Sequence, residues 1–316
     1  MTIERASIHS HVKPWGVFGA RPWTASHEQI GELWFERADP DALDSQLQLK
    51  LLFTSQPLSI QVHPNDDQAV EAGFPRGKTE AWYVVAAEKD AKVGVGLKRT
   101  CSMQDLRIAA QGGVIEALMD WRKVSPGDIV NVPAGTIHAI GAGVVIAEIQ
   151  QRSDITYRLH DYGRNRQLHL DLALAVCNPG PSISRARSGR ISDQRQLLSC
   201  TPFFCFERIV LSPGSRWQIE TPCETWLLAL EGTADVAENS LRKGDALFIE
   251  ADQADLEAGP DGTTLLAAYA HPSVLPYLLQ RITQTRPGPG EYASGRTLLG
   301  KALQRAAGDA ASIRGQ

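Results

Sequence analysis

Short apolar stretches, rich in β-branched and aromatic residues, alternate with turn-forming Gly, Pro, Asn and Asp from Leu47 onward. The stretches are QLKLLF, LSIQVHP, EAWYVVA, KVGVGL, DIVNVP and VVIAEIQ. Strands of this length and spacing are typical of a β-sandwich or a β-barrel. The pattern therefore predicts a mainly β protein.

Two segments depart from the strand pattern and have helical spacing. In SMQDLRIAAQGGVIEALMDW, Ser102 and Asp105 resemble a helix N-terminal cap, and the apolar residues that follow predict a helical insertion at about residues 99–123. A second helix is expected to close the first domain in RQLHLDLALAVCN, which stops at Asn-Pro-Gly. Its apolar face is predicted to consist of Leu168, Leu172, Ala175 and Val176.

The second half of the chain repeats parts of the first. TEAWYVV aligns with CETWLLA, so that Glu80 matches Glu224 and Trp82 matches Trp226, and PGDIVNVP aligns with KGDALFIE. The first copy is longer by about the size of the helical segment. The sequence therefore predicts two related β-barrels in tandem, the first of which is interrupted by helices.

A Ser-, Arg- and Gly-rich segment, PSISRARSGRISDQR, separates the two halves and is expected to be a linker. Beyond the second half, HPSVLPYLLQRIT looks helical and begins what we expect to be a peripheral tail. The predicted organisation is a catalytic domain at 1–177, a linker at 178–196, a second domain at 197–270 and a helical or partly disordered tail at 271–316.

Composition and charge narrow the function classes. The 316 residues are 43% hydrophobic, and 32 Lys and Arg against 36 Asp and Glu give a formal net charge of -4. The chain has no excess of positive charge that would attract nucleic acid or an anionic membrane, so we expect a small-molecule partner. We also expect a monomer or homodimer. The sequence shows neither a signal-peptide pattern nor a bilayer-spanning apolar run, which indicates a cytoplasmic protein. The five scattered cysteines, without CxxC pairs, are expected to be reduced.

The strongest chemical signal is GDIVNVPAGTIHAIGAG, which spaces Gly127, Pro133, Gly135 and His138. This spacing resembles the second signature of the cupin superfamily, whose domains are jelly-roll β-barrels, and we therefore expect two tandem cupin domains. A strand that enters a tight Pro/Gly turn directs the following histidine toward the barrel mouth, where it can bind a metal. The alternative is a buried structural histidine.

A second stretch, SIQVHP, places Gln61 and His63 on one strand face because side chains alternate along a strand. The first cupin signature has two alternating histidines before a glutamate, whereas here Gln61 replaces the first histidine and Glu80 follows in GKTEAWY. With His138, these side chains offer an amide oxygen, two imidazole nitrogens and a carboxylate oxygen, which suits zinc in an open, catalytic site. Because no histidine occurs at positions 170–270, we expect one zinc ion per chain and a metal-free second domain.

Six motifs follow one another within roughly the first 180 residues: KPWG, IGELW, LSIQVHP, GKTEAWY, VPAGTIHAI and EIQQRSDITYRLHDYGR. In this order they resemble the type I phosphomannose isomerases (mannose-6-phosphate isomerases), specifically the shorter bacterial form. The second half resembles that family only in its general pattern. The resemblance implies the same four zinc ligands and interconversion of mannose 6-phosphate and fructose 6-phosphate through a cis-enediol.

The resemblance also implies roles for polar residues near the zinc ligands. Arg158 corresponds to the family's active-site arginine, and Lys78 precedes the glutamate ligand by two residues, so either could act on the enediolate or the phosphate. Ser59 is expected to donate a hydrogen bond to the phosphate. Glu148, Asp154 and Lys78 compete as the proton-transfer base. The alternatives are that Glu148 pairs with Arg158, that Asp154 orients Arg158 and that Lys78 is a solvated loop charge.

Two other functions compete with this interpretation. One is a metal-dependent cupin that acts on another substrate, either as an oxygenase or as an isomerase of a different sugar phosphate. Gln61 argues against an iron oxygenase, which usually presents three histidines or two histidines and a carboxylate. The other is a non-catalytic sugar sensor, in which the general-base and cation positions would be free to be lost, whereas here the whole set is present.

Overall fold

Strands dominate the computed structural model, which describes residues 2–39, 45–184 and 186–282. The strands of the N-terminal half are β1 (Thr2–Arg5), β2 (Ser7–Phe18), β3 (Gln29–Glu36), β4 (Leu47–Phe53), β5 (Ile60–Val62), β6 (Glu80–Ala87), β7 (Lys92–Leu97), β8 (Met119–Lys123), β9 (Ile129–Val132), β10 (His138–Ile140), β11 (Val144–Gln151) and β12 (Tyr157–His160). Those of the C-terminal half are β13 (Gly189–Arg190), β14 (Arg195–Cys200), β15 (Cys205–Leu211), β16 (Arg216–Thr221), β17 (Thr225–Val236), β18 (Asn239–Arg242), β19 (Ala246–Glu250), β20 (Asp252–Tyr269) and β21 (Leu279–Arg281). The α-helices are α1 (Asp66–Glu71), α2 (Met103–Gln111) and α3 (Leu170–Val176). The prediction of a mainly β protein is confirmed.

Two sheets of the N-terminal half pack face to face around one core. The strand order is β2-β3-β4-β11-β6-β9 in the first sheet and β12-β5-β10-β7-β8 in the second. Leu52, Trp82 and Ile146 of the first sheet join Val93 and Val95 of the second in a single buried cluster. The space between these two sheets holds the polar residues that the sequence singled out.

The described strands of the C-terminal half form one sheet, in which the path β1-β19-β17-β20-β15-β14-β13 is extended by β16, β18 and β21. The long strand β20 pairs with β16 through Asp252 to Glu257 and with β15 through Thr263 to Tyr269. The N-terminal strand β1 pairs with β19. The first strand of the chain therefore belongs to the sheet of the C-terminal half.

The turn that the two halves share in sequence also recurs in structure. Gly127 and Gly244 both adopt left-handed φ angles, of 94° and 91°. The N–H of Gly127 donates to the Val84 carbonyl at 2.8 Å, and that of Gly244 donates to the Ala229 carbonyl at 2.9 Å. Each turn is thus bonded to the strand that carries the matched tryptophan, Trp82 in β6 and Trp226 in β17. Between the halves, one apolar cluster includes Phe35, Phe53, Phe206, Trp226 and Phe248.

Both predicted helices are present in part. The Ser102 hydroxyl accepts a hydrogen bond from the Asp105 N–H at 3.0 Å and begins α2, as its cap motif predicts. After α2, the chain forms a short 3-10 helix and then strand β8. The last part of the predicted helical insertion is therefore a β-strand. Helix α3 buries Ala173 and Leu174. Leu168 and Leu172 are about half exposed, so the predicted apolar face of this helix was wrong.

The helix predicted from residue 271 is wrong within the described residues. Residues 271–278 form turns, and β21 then pairs with β16; the rest of the predicted tail lies outside the described residues.

The prediction that all cysteines are reduced is also wrong, because Cys200 and Cys205 form a disulfide between β14 and β15. They are direct cross-strand partners, a proximity that their spacing in sequence did not indicate.

In the described ranges, no helix combines the length and apolar character needed to cross a membrane.

Candidate active site

Three neighbouring strands place polar side chains in one row. Gln61 of β5 lies directly opposite His138 of β10 on one side and opposite Arg158 of β12 on the other. Cross-strand partners point to the same face of a sheet. The three side chains therefore face the space between the two sheets, although they come from distant parts of the chain.

A Pro/Gly turn joins His63 to His138. The N–H of Gly135 donates to the His63 carbonyl at 2.7 Å, and the N–H of Thr136 donates to the Pro133 carbonyl at 3.1 Å. Gly135 has a φ of 82°, a conformation that glycine adopts without steric cost. The turn predicted from the sequence spacing is thus present, and it buries both imidazole rings in the same place.

Glu80 reaches the two histidines from the opposite sheet. Its Oε1 lies 3.2 Å from His63 Nε2, and its Oε2 lies 3.9 Å from His138 Nε2. The candidate ligand atoms of the three residues lie within 4.8 Å of one another, and all three side chains are buried. Two imidazoles and a carboxylate at these distances form a candidate metal centre.

Backbone carbonyls orient both imidazole rings. His63 Nδ1 lies 2.8 Å from the Ile155 carbonyl, and His138 Nδ1 lies 2.8 Å from the Thr136 carbonyl. Because a carbonyl can only accept, each Nδ1 carries the proton and each Nε2 presents its lone pair toward Glu80. Burial lowers the pKa of both histidines, that of His63 to about 3, so both rings are neutral at pH 7.

Lys78 keeps the Glu80 carboxylate ionised. Lys78 Nζ lies 3.1 Å from Glu80 Oε1, and both side chains are buried. Burial alone would raise the pKa of Glu80, but the Lys78 ammonium lowers it well below its ordinary value. Burial alone would lower the pKa of Lys78, but Glu80 and Glu148 raise it. A carboxylate anion therefore faces two neutral imidazoles, a donor set that zinc commonly takes.

Gln61 lies beside the His-Glu-His group. Its Nε2 is 3.3 Å from His138 Nε2, and its Oε1 accepts a hydrogen bond from the Ser59 hydroxyl at 2.9 Å. The oxygen and nitrogen of an amide have nearly the same shape, so a half-turn of the amide would place Oε1 next to the His138 lone pair. The position is compatible with a fourth ligand, and that role stays a prediction.

A cavity of ≈ 230 Å³ opens between the two sheets onto this group. Eight of the nine predicted site residues line it, namely Ser59, Gln61, Lys78, Glu80, His138, Glu148, Asp154 and Arg158. The ninth, His63, contacts Glu80 from behind the cavity wall. The predicted metal-binding and catalytic residues are therefore brought together around one space.

Glu148 stands in a cross-strand row on the six-stranded sheet, between Lys50 of β4 and Trp82 of β6. Its burial and the nearby Glu80 carboxylate raise the pKa of Glu148 to about 8. Lys50 opposes this shift, and burial together with the Lys78 charge lowers the pKa of Lys50 itself. Glu148 can thus change its protonation state near neutral pH, as a proton-transfer group requires.

Arg158 lines the cavity, and one nitrogen of its guanidinium group is unsatisfied. Its Nε is buried and lacks a hydrogen-bond partner in the described part of the chain. Within residues 45–184, neither Glu148 nor Asp154 forms an ion pair with it. The backbone of Arg158 is fixed instead, because its carbonyl accepts from the His169 N–H at 2.8 Å. The side chain is therefore available to an anionic ligand.

Sequence reasoning missed several residues of the cavity wall: Lys13, Trp15, Glu32, Trp34, Lys50, Thr156 and Arg166. Four of them lie in the KPWG and IGELW motifs, which carried the resemblance but were given no role. Lys50 did have a local signal, since it is a lysine within LQLKLLF, a strand in which every residue is buried. A buried lysine is rare unless it is paired or functional.

Two curated relatives match part of the chain. Mannose-6-phosphate isomerase ManA of Bacillus subtilis is 39% identical over 189 residues, which cover 56% of this chain and 59% of that protein. The mannose-6-phosphate isomerase of Streptococcus mutans is 35% identical over 212 residues, which cover 63% of this chain and 66% of that protein. The matched region thus spans less than two thirds of each relative. No protein-family model matches the chain.

Solved structures match a larger part of the chain. The crystal structure of the mannose 6-phosphate isomerase from Bacillus subtilis has a TM-score of 0.72 at 22% identity and covers 85% of this chain and 100% of that chain. A mannose 6-phosphate isomerase described as holo and zinc-bound has a TM-score of 0.65 at 15% identity and covers 86% of this chain and 100% of that chain. At these identities, the likeness shows a common fold.

Proposed function

We propose that the chain is a member of the type I phosphomannose isomerase family and a zinc-dependent enzyme that interconverts mannose 6-phosphate and fructose 6-phosphate. The observation that carries the proposal is the buried group of His63, Glu80 and His138, which lies beside Gln61 at a cavity lined by cationic side chains. Relatives that bear the name of this activity, and a structural neighbour described as zinc-bound, support it.

The donor set supports one zinc ion per chain. Gln61, His63, Glu80 and His138 would hold it through an amide oxygen, two imidazole nitrogens and a carboxylate, a mixture typical of zinc sites that keep a position open. His63 Nε2 is buried and has no hydrogen-bond partner in the described part of the chain, which is unusual unless a ligand satisfies it. Zinc bound there supplies a Lewis acid that stabilises negative charge on the enediol oxygens.

The charge of the cavity suits a sugar phosphate. Cationic side chains in its wall are Lys13, Lys50, Lys78, Arg158 and Arg166. A phosphate dianion needs such a cluster, and arginine binds it through two parallel hydrogen bonds. Ser59 also lines the cavity, and a half-turn of the Gln61 amide would free the Ser59 hydroxyl proton, now given to Gln61 Oε1, for the phosphate. The carboxylates of the wall can accept hydrogen bonds from the sugar hydroxyls.

Glu148 is the base that we favour for the isomerisation. The reaction moves a proton between C2 and C1, so one group must take the proton as an anion and return it as an acid. The pKa of Glu148, raised to about 8 by burial, allows both forms. Lys78 is less suited to this role because its pKa is raised and its ammonium stays protonated. Lys78 and Arg158 instead supply fixed positive charge for the enediolate, and Asp154 is the competing base.

The second half supports the proposal of tandem cupin domains at 1–177 and 197–270, joined by a linker at 178–196. Trp226 donates to Glu224 at 3.0 Å, as Trp82 does to Glu80 at 3.1 Å. No histidine occurs at positions 170–270, and the Glu224 carboxylate accepts a hydrogen bond from the Leu47 N–H at 2.9 Å. We therefore place the metal in the first domain. A cytoplasmic location and a monomeric or homodimeric state stay part of the proposal.

The alternatives are an isomerase of another sugar phosphate and a non-catalytic sugar-binding cupin. The test is to incubate the purified zinc-containing protein with mannose 6-phosphate, and in parallel with other aldose phosphates, in deuterated water and to follow the products by NMR. We expect fructose 6-phosphate to form and to gain deuterium at C1, because the enediol exchanges its proton. Faster conversion of another aldose phosphate would favour the first alternative. Binding of mannose 6-phosphate without any ketose would favour the second.

A further inference from the structure

The turn after β12 folds two arginines back onto a buried aspartate. Tyr162 and Gly163 have left-handed φ angles of 53° and 76°, which reverse the chain. The N–H of Arg164 then donates to the Asp161 carbonyl at 3.0 Å. Arg164 and Arg166 consequently both lie against the Asp161 side chain.

The Asp161 carboxylate holds both guanidinium groups. Its Oδ1 accepts from Arg164 Nε at 3.1 Å, Arg164 Nη2 at 2.8 Å and Arg166 Nη2 at 2.5 Å, and its Oδ2 accepts from Arg166 Nε at 2.7 Å. Asp161 is only 3% exposed. Charge-assisted bonds of this number to one buried carboxylate restrict both arginines to one orientation.

Trp15 and the loop before β5 complete this arrangement. The guanidinium carbon of Arg166 lies 4.7 Å from the centroid of the buried Trp15 ring, and that of Arg164 lies 5.7 Å from it. Arg164 Nη1 also donates to the Pro57 carbonyl at 2.8 Å. Through these two arginines, Asp161 links three separate parts of the chain: its own turn, β2 at Trp15, and the loop that leads to Ser59.

Arg166 is one of the described residues that line the cavity. Asp161 is not one of them and lies behind Arg166. The bonds to Asp161 use Nε and Nη2 of Arg166 and leave its Nη1 unused by this pair. The Arg166 side chain is 25% exposed, so it stands on the solvent side of the cavity. Arg158 lines the same cavity, and its burial and then the nearby Arg166 charge lower its pKa.

We propose that Asp161 is a positioning residue that holds the Arg166 guanidinium on the solvent side of the cavity, where Arg166 contacts the phosphate group of the substrate. The proposal rests on the proposed function for the identity of the substrate. Asp161 acts through Arg166 and thereby sets the preference for phosphorylated over unphosphorylated sugars. The motif HDYGR, which helped to carry the family resemblance, gains a physical role in this way.

The test combines Asp161→Asn, Arg166→Gln and the double variant. We expect each single change to raise the KM for mannose 6-phosphate and the Kd for inorganic phosphate about tenfold, with kcat changed less than about threefold. The double variant should be no worse than Arg166→Gln alone, because the two residues act as one unit. Asp161→Glu should restore part of the affinity. Asp245→Asn is the matched control, since Asp245 also pairs with two arginines, Arg5 and Arg242, in the other half, and it should change neither constant.

Fully additive effects in the double variant, or a fall in kcat without a change in KM, would overturn the proposal. Calorimetric titration with inorganic phosphate needs no turnover. Its result therefore tests the positioning role of Asp161 whether or not the protein is an isomerase. Wild-type protein that binds phosphate but makes no ketose would contradict the isomerase alone. Asp161→Asn protein that binds phosphate as tightly as the wild type would contradict the positioning role alone. If Asp161→Asn does not fold, Arg166→Gln decides, because unchanged phosphate affinity in that variant also overturns the proposal.

Discussion

The indole nitrogen of Trp82 donates a hydrogen bond to Oε2 of Glu80 at 3.1 Å. Trp226 makes the matching bond to Glu224 at 3.0 Å in the C-terminal half. Glu80 faces two histidines, whereas the Glu224 carboxylate accepts from the backbone N–H of Leu47 at 2.9 Å. The same tryptophan–glutamate pair thus supports a candidate metal centre in one half and a contact between the halves in the other.

This difference predicts distinct effects for two equivalent substitutions. Trp82→Phe removes a hydrogen bond that orients Glu80, a proposed zinc ligand, and we expect zinc affinity to fall roughly tenfold or more. Trp226→Phe, its matched control, should lower thermal stability but leave zinc affinity unchanged. Competition with a fluorescent chelator measures the affinity, and thermal unfolding measures the stability. Equal zinc affinity in Trp82→Phe and wild type would show that this bond has no role in metal binding.

Arg158→Ala should reduce kcat/KM by about 100-fold while zinc content stays at the wild-type level, because a fixed cation near developing charge is lost. Arg208→Ala is a suitable control, since Arg208 also has a buried Nε without a partner among the described residues but lies in the other half. It should leave kcat/KM unchanged. Steady-state kinetics and metal analysis on the same samples check this prediction. A parallel loss of zinc in Arg158→Ala would mean that the arginine is structural.

The activity should fall as the pH decreases through the pKa of Glu148. A base must be deprotonated, and burial with the Glu80 charge raises the pKa of this group from 4.5 to about 8. Zinc bound at Glu80 would remove part of that shift, so the midpoint in the loaded enzyme should lie between these values. Glu148→Gln should lose this acid limb and about 1000-fold in kcat. A pH–rate profile that keeps the same limb in Glu148→Gln would transfer the role to Asp154.

Lys50→Met should move the acid limb to higher pH. The Lys50 cation lowers the pKa of Glu148, so its removal makes Glu148 harder to ionise. The apolar stem of methionine keeps most of the buried volume. Lys123→Met, at an exposed lysine that pairs with Asp90, is the control and should leave the profile in place. An unchanged limb in Lys50→Met would show that the two groups do not interact.

The candidate metal centre was predictable because each proposed ligand lies in a short-range pattern. Gln61 and His63 share a face by strand alternation, and the Pro/Gly turn that directs His138 is visible in the spacing of its residues. The cavity wall was not predictable in the same way. Lys50 and Glu148 become neighbours only through the register between β4 and β11, which is set by pairing of distant segments.

The errors in the C-terminal half have a similar origin. Apolar residues such as Leu278 and Leu279 suggested a helix, yet both are buried, and Leu279 begins a short strand that pairs with β16. The disulfide between Cys200 and Cys205 arises because a hairpin makes them cross-strand partners. Local spacing does not distinguish a helix from a short strand, or reduced from disulfide-bonded cysteines. Pairing with distant strands overrides the intrinsic conformational preference of each segment.

Activity measured against zinc bound per chain tests the central claim most directly. Metal-free protein, prepared by chelation, would be titrated with zinc while fructose 6-phosphate formation from mannose 6-phosphate is followed. We predict that activity is lost on chelation, returns in proportion to added zinc and stops rising at one ion per chain, and that His138→Ala protein shows no such recovery. Full activity in the metal-free protein, or full recovery in His138→Ala, would contradict the assignment of this group as a catalytic zinc site.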